Sequence, residues 1–213
     1  MSTAQLIREA AIMRIAMLAA RRGDTELEVS VEGLAERARL RRQGGSRSLD
    51  SEVHDPKRLA AVQRTGLLSG DGDRALDRIA EMARRVVDAP VALISLVDAD
   101  RQVFVSCPGL EEPWASRGET PLSYSVCVEA VAYRDPLVLS DARSDNRLCN
   151  GPAVTELGVV AYLGVPLITG DGHVLGALCA IDERPRDWSA EQVELLETLA
   201  RAILDHIEAG ERK

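Results

Sequence analysis

The chain has 213 residues, with 26 Lys and Arg against 34 Asp and Glu for a formal net charge of −8. Hydrophobic residues make up 46% but aromatic ones only 3%, so any core is built from Val, Leu, Ile and Ala. The acidic balance argues against broad binding of nucleic acid or anionic membrane, whose phosphates repel such a surface, and no apolar run of about eighteen residues is available to span a bilayer.

The first fifty-odd residues read as an extension. Gln5 to Arg22 favours helix, with Leu6, Ala10, Met13 and Met17 on one stripe and Gly23 as a stop. Arg8, Glu9 and Arg14 interrupt the apolar run that a secretory signal needs. Thr25 to Arg42 fits strand and helix equally, and Gly44 to Asp55, rich in Gly, Ser and charge, reads as a linker. The expected division is therefore an N-terminal helical extension and flexible linker over 1–54, a compact domain over 55–208 and a tail over 209–213.

Within the domain, Pro56 to Leu68 reads as a short helix. Asp73 is placed to cap a second helix through Val87, whose stripe is Leu76, Ile79, Ala80, Ala83 and Val87. Val91 to Val97 is a buried strand, Asp98-Ala99-Asp100 a turn, and Gln102 to Ser106 the partner strand. Pro108 to Thr120 reads as a loop. Ser123 to Tyr133 is a short helix with Val126, Cys127, Ala130 and Val131 inward, Leu137 to Leu139 a short strand, and Asp141 to Gly158 a polar, irregular segment. Val159 to Thr169 and Val174 to Ile181 are two apolar runs joined at Gly170-Asp171-Gly172, the composition of a hairpin set mid-sheet. Ser189 and Gln192 form a capping box, with Trp188 and Val193 as its hydrophobic staple, for a helix carrying Leu196, Leu199, Ile203 and Ile207. This order implies an α+β fold: a central antiparallel sheet with helices covering it.

Four cysteines, Cys107, Cys127, Cys149 and Cys179, and three histidines occur without a Cys-x-x-Cys pair, which argues against structural zinc. A chain with this much core needs no disulfide staples, so the thiols are expected to be reduced and the protein cytoplasmic. No phosphate-binding glycine loop, metalloprotease helix or nucleophile elbow is present.

Several separated motifs, in order, carry a family resemblance. They are APVALISLVDADRQVFVSCPGL, SVC, VLSDARSDNRLCN and YLGVPLITGDGHVLGALCAIDERPRDWSAEQ. Together they resemble the GAF domain family of signalling modules, over about Asp55 to Ile207. The resemblance implies five or six antiparallel strands, N- and C-terminal helices on one face that commonly pair in a homodimer, and a small-molecule pocket on the other face. It implies ligand-binding roles for Ser125 and Cys127 at the start of the roof helix, for Asp141, Asp145, Arg147 and Asn150 in the segment over the pocket, and for Tyr162 and Pro166 in its floor. No catalytic residue or metal ligand is assigned, and no cofactor is identified. The cyclic-nucleotide signature of the family is missing, and Cys127 is flanked by Val126 and Val128 rather than by the histidine that accompanies bilin attachment. The expected function is a non-catalytic sensory or regulatory protein that binds a small ligand or a signalling partner in trans, without nucleic acid or membrane insertion. The alternative is a thiol-dependent oxidoreductase similar to free methionine sulfoxide reductases, using Cys107, Cys127 and Cys149.

Overall fold

In the computed structural model, the described residues are 49–69 and 72–211, all within one compact unit, Ser48–Lys213. The helix expected over Gln5 to Arg22 and the ambiguous stretch from Thr25 to Arg42 lie outside the described residues. The elements are α1 (Leu49–Val53), α2 (Pro56–Arg64), α3 (Arg74–Val86), β1 (Val91–Val97), β2 (Arg101–Ser106), α4 (Trp114–Arg117), β3 (Glu119–Pro121), α5 (Cys127–Tyr133), β4 (Leu137–Leu139), α6 (Pro152–Thr155), β5 (Ala161–Ile168), β6 (Val174–Asp182) and α7 (Ala190–Glu211). The strands form one six-stranded sheet in the order β3-β2-β1-β6-β5-β4, antiparallel at every pairing. The β5–β6 hairpin is internal, as its unbroken apolar character predicts, and Gly172 takes the positive φ of 86° that its turn requires.

Alternation along the central strands feeds two cores. Ala92, Ile94 and Leu96 of β1, with Leu163, Val165 and Leu167 of β5 and Leu178 and Ala180 of β6, face a core shared with α2, α3 and α7. Leu93 and Val97 of β1, Tyr162 of β5, and Ala177 and Cys179 of β6 face a second core shared with α5. Two register shifts punctuate the alternation. Ile94 pairs with Ser106 while Ser95 pairs with Phe104, leaving Val105 as an extra residue. Leu167 pairs with Gly176 while Ile168 pairs with Val174, leaving Leu175 extra. Gly176 is obligatory there, because a Cβ would lie 1.9 Å from the Ser95 carbonyl oxygen.

The helices start where their caps place them. Asp55 Oδ1 accepts from the backbone N–H of Lys57 (2.7 Å) and Arg58 (3.1 Å). Asp73 Oδ1 accepts from those of Ala75 (2.7 Å) and Leu76 (3.3 Å), while its Oδ2 lies 2.7 Å from His206 Nε2 on α7. The Ser189–Gln192 box is reciprocal: Ser189 N–H donates to Gln192 Oε1 at 2.9 Å and Gln192 N–H donates to Ser189 Oγ at 3.2 Å. The carbonyls at the end of α3 are taken up by the segment leading into α7. Arg186 donates to the oxygens of Val87 (2.7 Å) and Asp88 (2.6 Å), and Gln192 Nε2 donates to Val87 O at 3.0 Å.

Three expectations are corrected. The linker expected over Gly44 to Asp55 contains α1, and Val53 is buried in the second core, so the compact unit begins before Asp55. The cause is tertiary: the buried guanidinium of Arg58 donates from Nε to Val53 O (3.0 Å), also reaches that oxygen through Nη2, and donates from Nη1 to Val97 O (2.7 Å) and Val174 O (3.3 Å). One side chain thereby ties the ends of α1, β1 and β6 together. The loop expected over Pro108 to Thr120 contains α4 and the start of β3, an edge strand three residues long that sequence periodicity is too short to reveal. The tail expected from residue 209 continues α7 as far as Glu211.

Arg58→Met keeps an apolar stem but leaves buried carbonyls without donors, and is expected to cost about 3 kcal/mol. Ser189→Ala removes a single exposed cap and is expected to cost about 1 kcal/mol. Urea unfolding checks both; equal losses would contradict the assignment of Arg58 as the tie between elements.

Candidate functional site

A cavity of about 980 Å³ lies on the sheet face opposite α3 and α7. Its floor is made by Leu93, Gln102, Phe104, Tyr162 and Cys179, which project from β1, β2, β5 and β6. Its walls come from Thr120 on β3, from Val126 and Cys127 at the start of α5, and from two loops, 109–114 and 156–160. Around it stand Glu111, Glu112, Glu156, Asp182 and Glu183, with Arg184 the one cation among the described lining residues, and Trp114 and Tyr124 packed ring to ring at 5.4 Å. The body is apolar with a few convergent polar groups, the usual constitution of a small-molecule site.

The polar groups at the floor have one focus. The Sγ of Cys127 receives Ser95 Oγ at 3.3 Å, Gln102 Nε2 at 3.2 Å and Tyr162 OH at 3.2 Å, and lies 3.9 Å from Cys179 Sγ. Hydrogen bonding from Cys179, then from Ser95, Tyr162 and Gln102, outweighs burial and brings the Cys127 thiol down to about 7. The Cys179 thiol, in contact with that sulfur and fully buried, is pushed well up. Burial likewise pushes the Tyr162 hydroxyl well up, so it stays a donor. Gly164 makes this possible: Tyr162 folds back over it, and a Cβ there would meet the Tyr162 hydroxyl oxygen at 2.3 Å. Thr120, buried in the wall, has an Oγ1 with no hydrogen-bond partner among the described residues.

Of the residues selected from the sequence, Cys127 and Tyr162 line the cavity. Ser125, Asp141, Asp145, Arg147, Asn150 and Pro166 are not among its lining residues. Pro166 is buried within β5, in register with Ala177. Ser125 follows the 3-10 turn Leu122–Tyr124, and its buried Oγ has no partner among the described residues. Asp141 caps the turn Ala142–Ser144 and chelates the Arg143 guanidinium at 2.7 and 2.8 Å. Asn150 is exposed. Asp145 holds Arg147 at 2.7 and 3.0 Å, and Arg147 in turn donates to Glu129 Oε2 at 2.9 Å, pinning the irregular segment to α5. Of the thiols, Cys127 and Cys179 line the cavity, whereas Cys107 and Cys149 do not.

Sequence reasoning missed Gln102, Thr120, Trp114 and the carboxylates of the rim. Gln102 gives a faint signal, as a polar residue within an otherwise apolar strand. Thr120 and Trp114 gave none, because the whole stretch reads as a loop. Among the described residues no group of three or more His, Cys, Asp or Glu is arranged to hold a metal ion, and no helix is long and apolar enough to cross a membrane.

The Glu129 carboxyl is held above its ordinary range by burial, with the Arg147 charge opposing. Arg147→Ala removes that opposition, so the folded-state pKa rises further above the unfolded value. A raised carboxyl destabilises once ionised, so the deficit is full above the folded pKa and fades as pH falls toward the unfolded pKa of about 4.3. The expected loss at neutral pH is about 1 to 2 kcal/mol, kept small by the exposure of the arginine, and unfolding curves across pH check its sign.

Comparison with known proteins agrees with this architecture. The GAF domain family matches residues 71–205. The chain is 36% identical over 152 residues, 70% of its length, to the cyclic di-GMP phosphodiesterase PA2567 of Pseudomonas aeruginosa, and spans a quarter (25%) of that protein. Among solved structures it is similar to the GAF domain of a phosphoenolpyruvate-protein phosphotransferase from Coxiella burnetii, with TM-score 0.56, 18% identity, and coverage of 73% of this chain and 94% of that one. It is also similar to free methionine-R-sulfoxide reductase from Neisseria meningitidis in complex with its substrate, with TM-score 0.54, 19% identity, and coverage of 74% and 87%. At those identities the likeness is one of fold. With the family match spanning most of the chain, and a six-stranded antiparallel sheet carrying helices on one face and a cavity on the other, the chain belongs to the GAF domain family.

Proposed function

We propose that this chain is a cytoplasmic, non-catalytic sensory module that binds a small molecule in the cavity and passes its occupancy to a partner in trans. The observation that carries the reading is Thr120 Oγ1, a buried hydroxyl in the cavity wall with no hydrogen-bond partner among the described residues. Leaving such a group unpaired costs about 1 to 3 kcal/mol, which a ligand supplying an acceptor or donor recovers. Gln102, Tyr162 and Cys127 supply further polar contacts at the floor, while Asp141, Asp145 and Arg147 hold the segment over α5 in place. A regulatory role also suits the 36% identity of the chain to a cyclic di-GMP phosphodiesterase, a quarter of whose length it spans.

The homodimer is proposed through α3 and α7. Ile203, on the apolar stripe of α7, is fully buried against the chain's own sheet. The apolar side chains left for a partner on these helices are Met82 (51% exposed), Val86 (42%) and Leu195 (36%).

A second reading, the thiol-dependent oxidoreductase, is favoured by the donors gathered around Cys127. Incubation with free methionine sulfoxide and a dithiol reductant decides it: catalytic formation of methionine supports it, and none rejects it.

Native mass spectrometry of freshly purified protein tests the first reading. A dimer carrying a stoichiometric small molecule is expected, with occupancy falling in Thr120→Val. An apo mass that stays apo after exposure to a metabolite extract would overturn it. Met82→Glu combined with Leu195→Glu is expected to give a folded monomer; an unchanged dimer would reject that interface.

A further inference from the structure

Two features of the cavity floor are not explained by ligand binding. The first is the pairing of Cys127, at the start of α5, with Cys179, in the middle of β6, at a sulfur–sulfur distance of 3.9 Å. The second is the set of donors on Cys127. A buried cysteine that only fills space acts as a small hydrophobe and needs no hydrogen bonds. Here Ser95 Oγ, Gln102 Nε2 and Tyr162 OH reach its sulfur from three different strands, at 3.2 to 3.3 Å. That many O–H and N–H groups around one sulfur is the environment of a thiolate. Both residues line the cavity, with their side chains buried from bulk solvent.

We propose that Cys127 and Cys179 are a peroxide-oxidised dithiol that closes into a disulfide between α5 and β6. The Cys127 thiolate attacks one oxygen of hydrogen peroxide and the O–O bond breaks. The sulfur becomes a sulfenic acid, and the departing hydroxide takes a proton to leave as water. Cys179 then attacks the Cys127 sulfur: the S–S bond forms, the S–O bond breaks, and the hydroxyl leaves as a second water with the Cys179 proton. Overall two thiols lose two electrons and two protons, and one peroxide is reduced to two waters. The division of labour follows from the site: Cys127 is the charged nucleophile, and Cys179 keeps its proton until that charge is gone. The sulfurs have about 2 Å to travel to reach bonding distance, a shift borne by the first turn of α5. The closed bond releases Ser95, Gln102 and Tyr162 from Cys127, so oxidation also rewrites the polar floor of the cavity.

The test uses the full chain, reduced, desalted and treated with hydrogen peroxide. Intact mass is expected to fall by two hydrogens, and a non-reducing digest to contain a Cys127–Cys179 cross-linked peptide. Oxidation is expected to run faster near pH 8 than near pH 6, following the thiolate fraction. Tyr162→Phe, which removes one donor, shifts that profile to higher pH. Cys179→Ser halts at a Cys127 sulfenic acid that dimedone traps. The proposal is overturned if the wild-type chain keeps both thiols reduced at a peroxide dose that oxidises Cys107 or Cys149, or if Cys127 links to a cysteine other than Cys179. Neither outcome depends on whether a ligand binds the cavity.

Discussion

The β5–β6 hairpin is buried on both faces, and that constraint governs the rest of the molecule. Along β5, Leu163, Val165 and Leu167 serve the helical layer while Tyr162 serves the cavity layer, so neither layer can be repacked without the same backbone taking part. The turn of the hairpin is held from both sides as well. Glu208 near the end of α7 accepts from the Gly170 N–H at 3.1 Å, and Arg134 at the end of α5 donates to the Gly172 carbonyl at 2.6 Å. A displacement of α5 by a ligand or by a disulfide therefore meets the same five-residue turn that anchors α7. This is a physical connection between the cavity and the helices proposed for dimerisation, built of two hydrogen bonds and a shared sheet.

The elements with strong local signals were legible in the sequence. β1 matches its expected bounds, the Asp73 cap and the Ser189–Gln192 box form as their spacing implies, and the hairpin sits inside the sheet. What escaped depends on contacts between distant residues. α1 buries Val53 and owes its place to the Arg58 guanidinium, a charged group that composition assigns to the surface. β3 is a strand because β2 offers it an edge, not because Glu119-Thr120-Pro121 has a pattern. The cavity follows the same division. Cys127 and Tyr162 could be selected from motifs, whereas Gln102 and Thr120 become site residues only once β2 and β3 are paired.

The polar segment over α5 illustrates how a motif divides into support and contact. Asp145 and Arg147 engage each other and Glu129, and Asp141 engages Arg143. Their geometry is that of a brace: carboxylates whose pKa is lowered first by the adjacent arginine and whose oxygens are already occupied. Among the lining residues, unfilled hydrogen-bonding capacity lies instead in the wall, at Thr120 Oγ1.

The measurement that bears most directly on this account is an electron-density map of the cavity, from crystals of the protein as purified. The account predicts non-protein density within hydrogen-bonding distance of Thr120 Oγ1 and extending toward Gln102 and Tyr162, with α5 in place above it. A cavity closed by its own side chains, with Thr120 Oγ1 bonded to a protein atom, would contradict it.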